Sequence, residues 1–573
     1  MLPIDYPGSA VEYSNPARRT AKKTERQRAD AKNRKENIVR RWNGWGDEAV
    51  EFALNQDALG FLADRIGAAS APADATLAQA CENVPPSRLP PHPLVDTSAE
   101  ARLRNGLGQS LPDWLKLRYG KVGTLPDGVA FPESSAQVRE LLDFAKQCGA
   151  ALIPYGGGTS VVGHLTAQES AKPVLTVNLS RLSRLINLDR VAQLATFGAG
   201  IVGPDLEAQL RAHGYTLGHF PQSFEYSTLG GWVVTRSSGQ QSLRYGRIEQ
   251  MFAGGKLETP CGTLTIPTFP ASAAGTDLRE LVLGSEGRVG ILTEVKVRVT
   301  PLPERENFHA VFFPSWAVAE QAVRSIAQAR LPLSMLRLSN PLETLTTLTL
   351  AGHKRLIGLL ESYLGWRGCG SEKCLLLLGA SGSATGVGHA LEQALRVARK
   401  HQGVHIGQAI GKKWKQNRFR NVYLRNAAWQ HGYAIDTVET AVDWPRVGAM
   451  MQAVEQAATA ALAAHGEKVH TYTHLSHIYA QGASVYTTFV YRLGGSFATD
   501  LERWTSLKRA ACEAIVANGG TISHQHGVGT DHAPYLLAEK GELGIGAMRE
   551  LCAYFDPFGM MNPGKLLLPP NQE

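Results

Sequence analysis

Three glycine-rich segments and a C-terminal histidine pair hold the residue types best suited to chemistry. The first segment is Pro154-Tyr155-Gly156-Gly157-Gly158-Thr159-Ser160, directly after a short apolar run. Successive glycines let a ligand approach the backbone without Cβ interference and turn several N–H groups inward, making an anion nest suited to a pyrophosphate. A structural glycine turn is the plain alternative. The segment is neither a GxxxxGK(S/T) loop nor a GxGxxG turn, so nucleoside triphosphate hydrolysis and ordinary NAD binding lose support. The second segment carries Gln222, Ser223, Ser227, Thr228, Gly230 and Gly231, then Thr235, Ser237 and Ser238. Hydroxyl residues and glycines beside apolar anchors suit a loop wrapped around a dinucleotide. The third, Gly284-Ser285-Glu286-Gly287-Arg288-Val289-Gly290-Ile291, is a glycine-rich turn feeding a strand. His524 and His526 stand two apart, which on a strand puts both on one face. His470, His474 and His477 are spaced for one helical face, and with the later pair could bind a metal. Tyr479 and Gly482 point instead to turn and strand there, and no metal is expected.

Periodicity supplies the elements that must position these residues. Residues 138–148 have helical spacing of Val138, Leu141, Leu142 and Ala145. Residues 151–154 and 174–177 are short buried strands. Residues 294–299 alternate, with Val295, Val297 and Val299 on one face and Glu294, Lys296 and Arg298 on the other. Residues 449–464 form an Ala-rich helix and 486–491 a strand. The stretch 125–305 thus has an alternating strand–helix texture, and 306–520 mixes the two.

Composition bounds the class. The chain has 573 residues, 43% hydrophobic and 19% charged, which excludes a disordered, collagen-like or disulfide-scaffold protein. No apolar run reaches ~18 residues, so no spanning helix is expected. The N-terminus lacks a basic-then-apolar signal pattern, so secretion is not expected, and no C-terminal Ser-Lys-Leu address is read. Seven scattered cysteines, at 81, 148, 261, 369, 374, 512 and 552, never form CxxC. They read as reduced thiols in a cytoplasmic protein without a zinc–cysteine site. The net charge of +8 resides in residues 18–41, which hold 11 Lys/Arg against Glu25, Asp30 and Glu36. Such an arm is either a solvated basic helix or a contact with an anionic surface, a peripheral membrane ahead of nucleic acid. Next come a turn with two exposed-looking indoles, Trp42 and Trp45, and a linker rich in proline (Pro85, Pro86, Pro90, Pro91, Pro93).

In order and spacing, the three glycine segments resemble the FAD-binding domain of the vanillyl-alcohol-oxidase (PCMH-type) flavoproteins. Within that group the chain resembles the alkyldihydroxyacetonephosphate synthases, which make the ether bond of ether lipids. The resemblance runs from about 42 to 565. It rests also on residues 198–203 (GAGIVG), 214–219 (GYTLGH), 227–232 (STLGGW), 245–249 (YGRIE), 336–338 (LRL), 479–486 (YAQGASVY), 518–520 (NGG) and 523–529 (SHQHGVG).

The resemblance implies an α+β fold: a PCMH-type FAD-binding domain of two α/β subdomains at 125–305 and an α+β substrate-cap domain at 306–520. A basic arm (1–41) and a helical region with linker (42–124) precede them, and a segment returning to the flavin (521–573) follows. It implies noncovalent FAD, held by Pro154, Gly156, Gly157, Gly158, Thr159, Ser160, Gln222, Ser223, Ser227, Thr228, Gly231, Thr235, Ser237, Ser238, Glu286, Gly287, Gly290 and Ile291. It implies a redox-neutral exchange at C1 of acyl-dihydroxyacetone phosphate, the fatty acid leaving and a fatty alcohol entering. Arg337 and Arg425 match the family's active-site arginines, suited to a phosphate through the guanidinium fork. Tyr486 matches its catalytic tyrosine, which needs positive charge or a partnered histidine to move a proton. His524 and His526 match the first and third of three histidines. Gln525 replaces the middle one and cannot serve as acid or base near pH 7. Partners would be a lipid phosphate, a fatty alcohol, an anionic membrane through the arm and a second copy of the chain, with no nucleic acid. The competing functions are an FAD dehydrogenase of a 2-hydroxy acid or glycerol phosphate, which Gln525 favours, and a non-catalytic flavin-binding protein.

Overall fold

The structure is a computed structural model describing residues 39–351 and 354–568. Residues 18–38 of the basic arm lie outside the described residues. The arm's last two cations are not surface charges. The Arg41 guanidinium donates to the carbonyls of Trp45, Asp47, Glu48 and Val50. Arg40 donates to Gly157 O and lies 5.0 Å over the Tyr226 ring.

Two small sheets build the cofactor half. The first contains β1 (Val95–Asp96), β2 (Gly128–Ala130), β3 (Ala151–Tyr155) and β4 (Val174–Asn178) in the order β1-β2-β4-β3, with β2, β4 and β3 parallel. The second contains β5 (Leu185–Asp189), β6 (Leu194–Gly198), β8 (Phe252–Thr259), β9 (Gly262–Ile266) and β10 (Ile291–Arg298). Its order is β5-β6-β10-β8-β9, antiparallel throughout. A two-residue pairing joins β7 (Tyr215–Thr216) to β11 (Thr300–Pro301). The cap is one seven-stranded antiparallel sheet. It contains β12 (Arg305–Phe313), β13 (Met335–Ser339), β14 (Cys374–Gly382), β15 (Val404–His405), β16 (Tyr433–Asp443), β17 (Val469–Ile478) and β18 (Gly482–Arg492). The order is β15-β12-β14-β13-β17-β18-β16. This is the expected α+β architecture.

Local chemistry explains the elements. The helix Ser135–Cys148 begins where Ser134 accepts from the Gln137 N–H, and it ends at Gly149 with φ 68°. Its Val138, Leu141, Leu142 and Ala145 are buried. The strand β4 is buried along its whole length, as a strand between parallel neighbours must be. In β10, Val295 and Val297 are buried while Glu294, Lys296 and Arg298 stay half-exposed.

Some expectations fail. Trp45 is 3% exposed and Trp42 packs on a buried cluster, so neither indole is a free surface group. The proline-rich stretch is no free linker, because Arg88 pairs with Asp127 at 2.7 Å and Leu89 is buried. Another expectation holds: as Tyr479 and Gly482 indicated, His470, His474 and His477 lie on a strand, β17, and not on one helical face. A register shift between Leu475 and Ile478 falls at His477, out of phase with the other two.

The C-terminal segment returns to the cofactor half. Leu152 N–H donates to Met560 O, and Asn562 N–H donates back to Leu152 O. Lys565 follows, 1% exposed, its Nζ donating, among the described residues, only to Pro563 O at 3.1 Å. Burial pushes its pKa down to about 8, with Arg288 adding repulsion. A depressed lysine pKa is a penalty fully present below the folded value and gone above the unfolded one. Lys565→Met should therefore raise stability by about 1–3 kcal/mol at pH 7. The gain should vanish by about pH 10.5, the ordinary lysine value. Urea denaturation at the two pH values checks this; an equal gain at both would contradict it.

Candidate active site

One cavity of about 1070 Å³ lies between the cofactor half and the cap sheet. It collects nearly every candidate residue. The glycine loop 154–160 (Tyr155 included), Gln222, Ser223, Ser227, Thr228, Gly231, Thr235, Ser237, Ser238, Glu286, Gly287 and Gly290 line it. So do Arg337, Arg425, Tyr486, Gln525 and His526. Two candidates are not part of its lining. Ile291 is fully buried at the start of β10. His524 lies one layer behind the wall.

The glycines are dictated by packing. A Cβ on Gly157 would sit 1.8 Å from Tyr226 O, and one on Gly156 would sit 2.4 Å from Thr228 Oγ1. Gly158 has φ +64°. The first and second segments therefore interlock backbone to backbone. Among the described residues, no acceptor takes the N–H groups of residues 156–160. They remain free for an anion. The hydroxyls of the second segment are mostly engaged. Ser227 Oγ accepts from the Trp232 indole at 2.7 Å, and Thr228 Oγ1 caps the helix Leu229–Val234. Thr235 donates to Gly231 O, and Ser237 bonds His219. Ser238 Oγ is buried with no partner, which leaves it free for a cofactor. The donors, the close backbone approach and this orphan hydroxyl fit a dinucleotide such as FAD.

Glu286 does something the sequence did not suggest. Its carboxylate accepts from Val528 N and from Gly529 N at 2.8 Å, and His164 Nε2 lies 3.0 Å away. His164 Nδ1 in turn contacts Ser160 Oγ at 2.7 Å. Glu286 is thus a clamp between the glycine loop and the histidine loop.

The cap presents one face of its sheet. Met335, Arg337 and Ser339 of β13, Leu375 and Leu377 of β14, and Tyr472, His474 and Ser476 of β17 all line the cavity. These are alternate positions, as a two-residue period requires. Tyr486 is directly opposite His474 on β17 and Glu439 on β16. Its ring stacks on His474 with centroids 4.7 Å apart and meets His526 edge-on at 6.0 Å. Burial pushes the Tyr486 phenol up, so it is protonated at neutral pH. Burial pulls His526 down, so it is neutral there.

The arginines are partly committed. Arg337 Nη2 donates to Glu343 Oε1 at 2.7 Å and approaches His474 Nδ1 at 3.3 Å. Burial would raise the Glu343 pKa, but His474 and Arg337 hold it down to about 2. Arg425 donates to Gln109 O at 2.6 Å and stacks on Trp114 at 4.4 Å, leaving Nη2 buried without an acceptor.

Beside Tyr486 on the sheet, Glu439 gathers a second cluster. Its Oε1 lies 3.2 Å from His524 Nδ1 and 3.4 Å from His477 Nδ1, and Oε2 accepts from Gln525 Nε2 at 2.5 Å. Burial would raise this carboxyl, but His524 and His477 hold it well below the usual range. His524 and His526 do not share a strand face, because residues 523–529 form no regular element. The loop instead runs beside β16 through the His524 N–H to Glu439 O bond, and the two rings diverge. Glu439, His477 and His524 are close enough to hold a metal. Arg247 Nη1, at 2.9 Å from His524 Nε2, can only donate. The proton of neutral His524 therefore sits on Nδ1, on the side of Glu439, where a metal would have to bind. The cluster is one buried carboxylate surrounded by hydrogen-bond donors, Ser476 and Gln525 among them. Burial pulls His524 down to about 4, so it is neutral.

Glu286 as clamp, Glu343 and Glu439 escaped the sequence reading. Each is a single acid in an ordinary local pattern, placed by tertiary packing: Glu286 in a turn, Glu343 in the first turn of the helix Pro341–Leu350 and Glu439 by the register of β16.

The cavity and its two halves define a flavoprotein. The FAD binding domain model matches residues 126–266, and the model for the C-terminal domain of FAD linked oxidases matches residues 302–566. An alkyldihydroxyacetonephosphate synthase of Dictyostelium discoideum is 30% identical over 82% of this chain and 77% of its own length. A crystal structure of an alkyldihydroxyacetonephosphate synthase superposes with a TM-score of 0.79 at 26% identity, covering 91% of this chain and 98% of that one. Substrate-bound p-cresol methylhydroxylase, at 12% identity and a TM-score of 0.66 over 84% of this chain and 95% of its own, shares the fold. The chain belongs to the alkyldihydroxyacetonephosphate synthase family, and its cofactor is FAD.

Glu286→Ala should loosen the histidine loop even without cofactor. Charge-assisted bonds are worth about 1.5–3 kcal/mol each, so a loss of about 2–5 kcal/mol is expected in apoprotein stability. A residue serving only the cofactor would weaken FAD binding and leave the apoprotein unchanged in urea denaturation.

Proposed function

We propose that the protein is an FAD-dependent alkyldihydroxyacetonephosphate synthase, exchanging the acyl chain of acyl-dihydroxyacetone phosphate for a fatty alcohol. One observation carries the reading: a single cavity joins a charged, proton-bearing end to an apolar one. The charged end holds Arg337, Arg425, Tyr486 and His526. The apolar end is walled by Leu348, Ile357, Leu360, Leu377 and Ile410. A phosphorylated headgroup with a long chain needs both.

FAD, when bound, supplies a ring nitrogen, N5, able to take and release carbon C1. The chain's own residues bind the substrate and move protons. Neutral His526 can accept the proton alpha to the carbonyl, and the protonated Tyr486 hydroxyl beside it can return one. Arg337 and Arg425 orient the headgroup by hydrogen bonds. His524 acts from behind, fixed between Glu439 and Arg247. We take FAD to be noncovalent. No cysteine among the described residues lines the cavity, and of its four histidines His164, His474 and His477 are hydrogen-bonded or ion-paired within the protein, while His526 is given to proton transfer in this reading. The second reading, a dehydrogenase of a 2-hydroxy acid or glycerol phosphate, is favoured only by Gln525.

The deciding assay supplies FAD-loaded protein with acyl-dihydroxyacetone phosphate and a fatty alcohol. Ether product is expected, and Tyr486→Phe should lower turnover by about 10²–10⁴ while keeping FAD. Gln525→His should maintain or raise it. Anaerobic flavin bleaching by a hydroxylated substrate, without ether product, would establish the dehydrogenase instead.

Peripheral membrane contact belongs to the same reading. No helix among the described residues is long and apolar enough to cross a membrane. The helix Lys354–Trp366 turns Ile357 and Leu360 to the cavity, places Leu356 at its mouth, lining it yet 67% exposed, and exposes Leu359 and Trp366, at 69% and 80%. Apolar surface of this kind, beside Lys354, Arg355 and Arg367, suits a lipid interface at the mouth of the apolar end. Leu356→Ser with Leu359→Ser and Trp366→Ser should weaken binding to anionic vesicles by at least about 100-fold, each side chain being worth ~1.5–3 kcal/mol. Removing residues 18–38 should lower only the salt-sensitive part. Vesicle binding unchanged by both alterations would refute membrane contact through these segments.

A further inference from the structure

The run Lys412-Lys413-Trp414-Lys415-Gln416-Asn417-Arg418-Phe419-Arg420 has five basic residues and no acidic one. It covers the end of the helix Ala409–Asn417 and the turn beyond it. Lys415 is paired with Glu306 at 2.8 Å. Arg418 is unpaired, although it is only 8% exposed. Its guanidinium stacks on Phe220 at 4.4 Å and Phe419 at 4.8 Å. None of its N–H groups has an acceptor among the described residues, and Nε and Nη1 are closed off from water. Nη2 is the atom left to meet the cavity, which Arg418 lines. Lys413 and Arg420 also line it, exposed at the rim.

A buried guanidinium whose N–H groups lack acceptors is costly. Burial pulls the Arg418 pKa down to about 10, with Glu306 and Glu207 opposing it. The other cavity arginines differ. Arg337 donates to Glu343 and Arg425 to Gln109 O, so each has spent part of its fork on the protein. Among the described residues Arg418 has found no acceptor at all.

We propose that Arg418, with Lys413 and Arg420 at its rim, forms an anion subsite that takes the phosphate dianion of the lipid-phosphate substrate. The identity of that ligand rests on the synthase reading. The pyrophosphate of FAD is the other phosphate source, and it already has the unpartnered N–H groups of residues 156–160. The rim cations would draw the anion in, and the stacked guanidinium would hold it.

The test titrates glycerol 3-phosphate into FAD-loaded protein by calorimetry, with FAD affinity measured separately. Arg418→Met keeps the stacking volume and should weaken glycerol 3-phosphate binding by about 10- to 100-fold, with FAD affinity unchanged. Arg418→Lys should recover part of the loss. Lys413→Gln with Arg420→Gln, both at the surface, should weaken binding a few-fold at low salt and not at high salt. The proposal is overturned by glycerol 3-phosphate affinity that is absent in the wild type or unchanged in Arg418→Met. It is overturned equally if Arg418→Met loses FAD while phosphate binding survives, which would give the guanidinium to the cofactor. If Arg418→Met does not fold, an unchanged low-salt affinity in the rim double variant overturns it. Arg418-dependent binding without ether product from the wild type would keep the subsite and refute the synthase reading alone.

Discussion

One buried carboxylate, Glu286, receives the N–H groups of Val528 and Gly529 from 242 and 243 residues further along the chain. On its other side stands His164, itself held by Ser160 of the glycine loop. Residues 523–529 have no helix or strand of their own, so nothing local fixes where His526 points. The clamp does. Glu286 itself sits at φ 52°, a conformation unfavourable for a residue with a Cβ. That strain is of order 1–2 kcal/mol. Two charge-assisted bonds, at about 1.5–3 kcal/mol each, outweigh it. The glycine loop and the histidine loop are therefore one mechanical unit, and the cap sheet meets both across the cavity.

The cap contributes through its two-residue period and through charge balance. Alternate positions on β13, β14, β17 and β18 send their side chains to the same face, so residues far apart in sequence converge without any special loop. Such a face would be expensive if its charges were unpaired. Glu343 balances Arg337 and contacts His474 at 3.0 Å. Glu439 faces His477 and His524. Both acids stay ionised despite burial because those partners hold their pKa values down. The cavity face thus carries its own acids, Glu343 in the lining and Glu439 opposite Tyr486 on the sheet.

What was legible in the sequence follows from the range of the forces involved. The glycine triplet was legible because each position excludes a Cβ for its own reason: Gly157 against the Tyr226 backbone, Gly156 against Thr228 Oγ1 and Gly158 by its φ of +64°. The helix Ser135–Cys148 and strands β3, β4 and β10 were legible because cap, period and burial all agree locally. The ligands within the second segment were less so. Ser227, Thr228, Thr235 and Ser237 look alike in sequence, yet their hydroxyls already serve Trp232, a helix cap, Gly231 and His219, while Ser238 is free. Ile291 fell just inside the strand and was lost to the core. His524 and His526 were read as a strand pair, but the loop turns one ring to Arg247 and the other to Tyr486. Glu343, Glu439 and Arg418 gave no local signal, since their meaning lies in which strand or ring ends up opposite.

Gln525 shows how the back layer changes the chemistry available at the front. A carboxylate can only accept, so Glu439 Oε2 must face the Gln525 amide nitrogen. That settles the orientation of the amide. Its oxygen has no protein partner among the described residues and is not closed off, while the residue lines the cavity. At this position the chain therefore presents a hydrogen-bond acceptor, where a histidine could also have carried a proton. His524 cannot compensate, because Arg247 fixes its proton toward Glu439 and burial keeps it neutral. On the synthase reading the proton traffic falls to Tyr486 and His526, whose rings meet edge-on. A reaction that returns the proton it removes needs no more than such a pair, one partner neutral and ready to accept, the other protonated and ready to give.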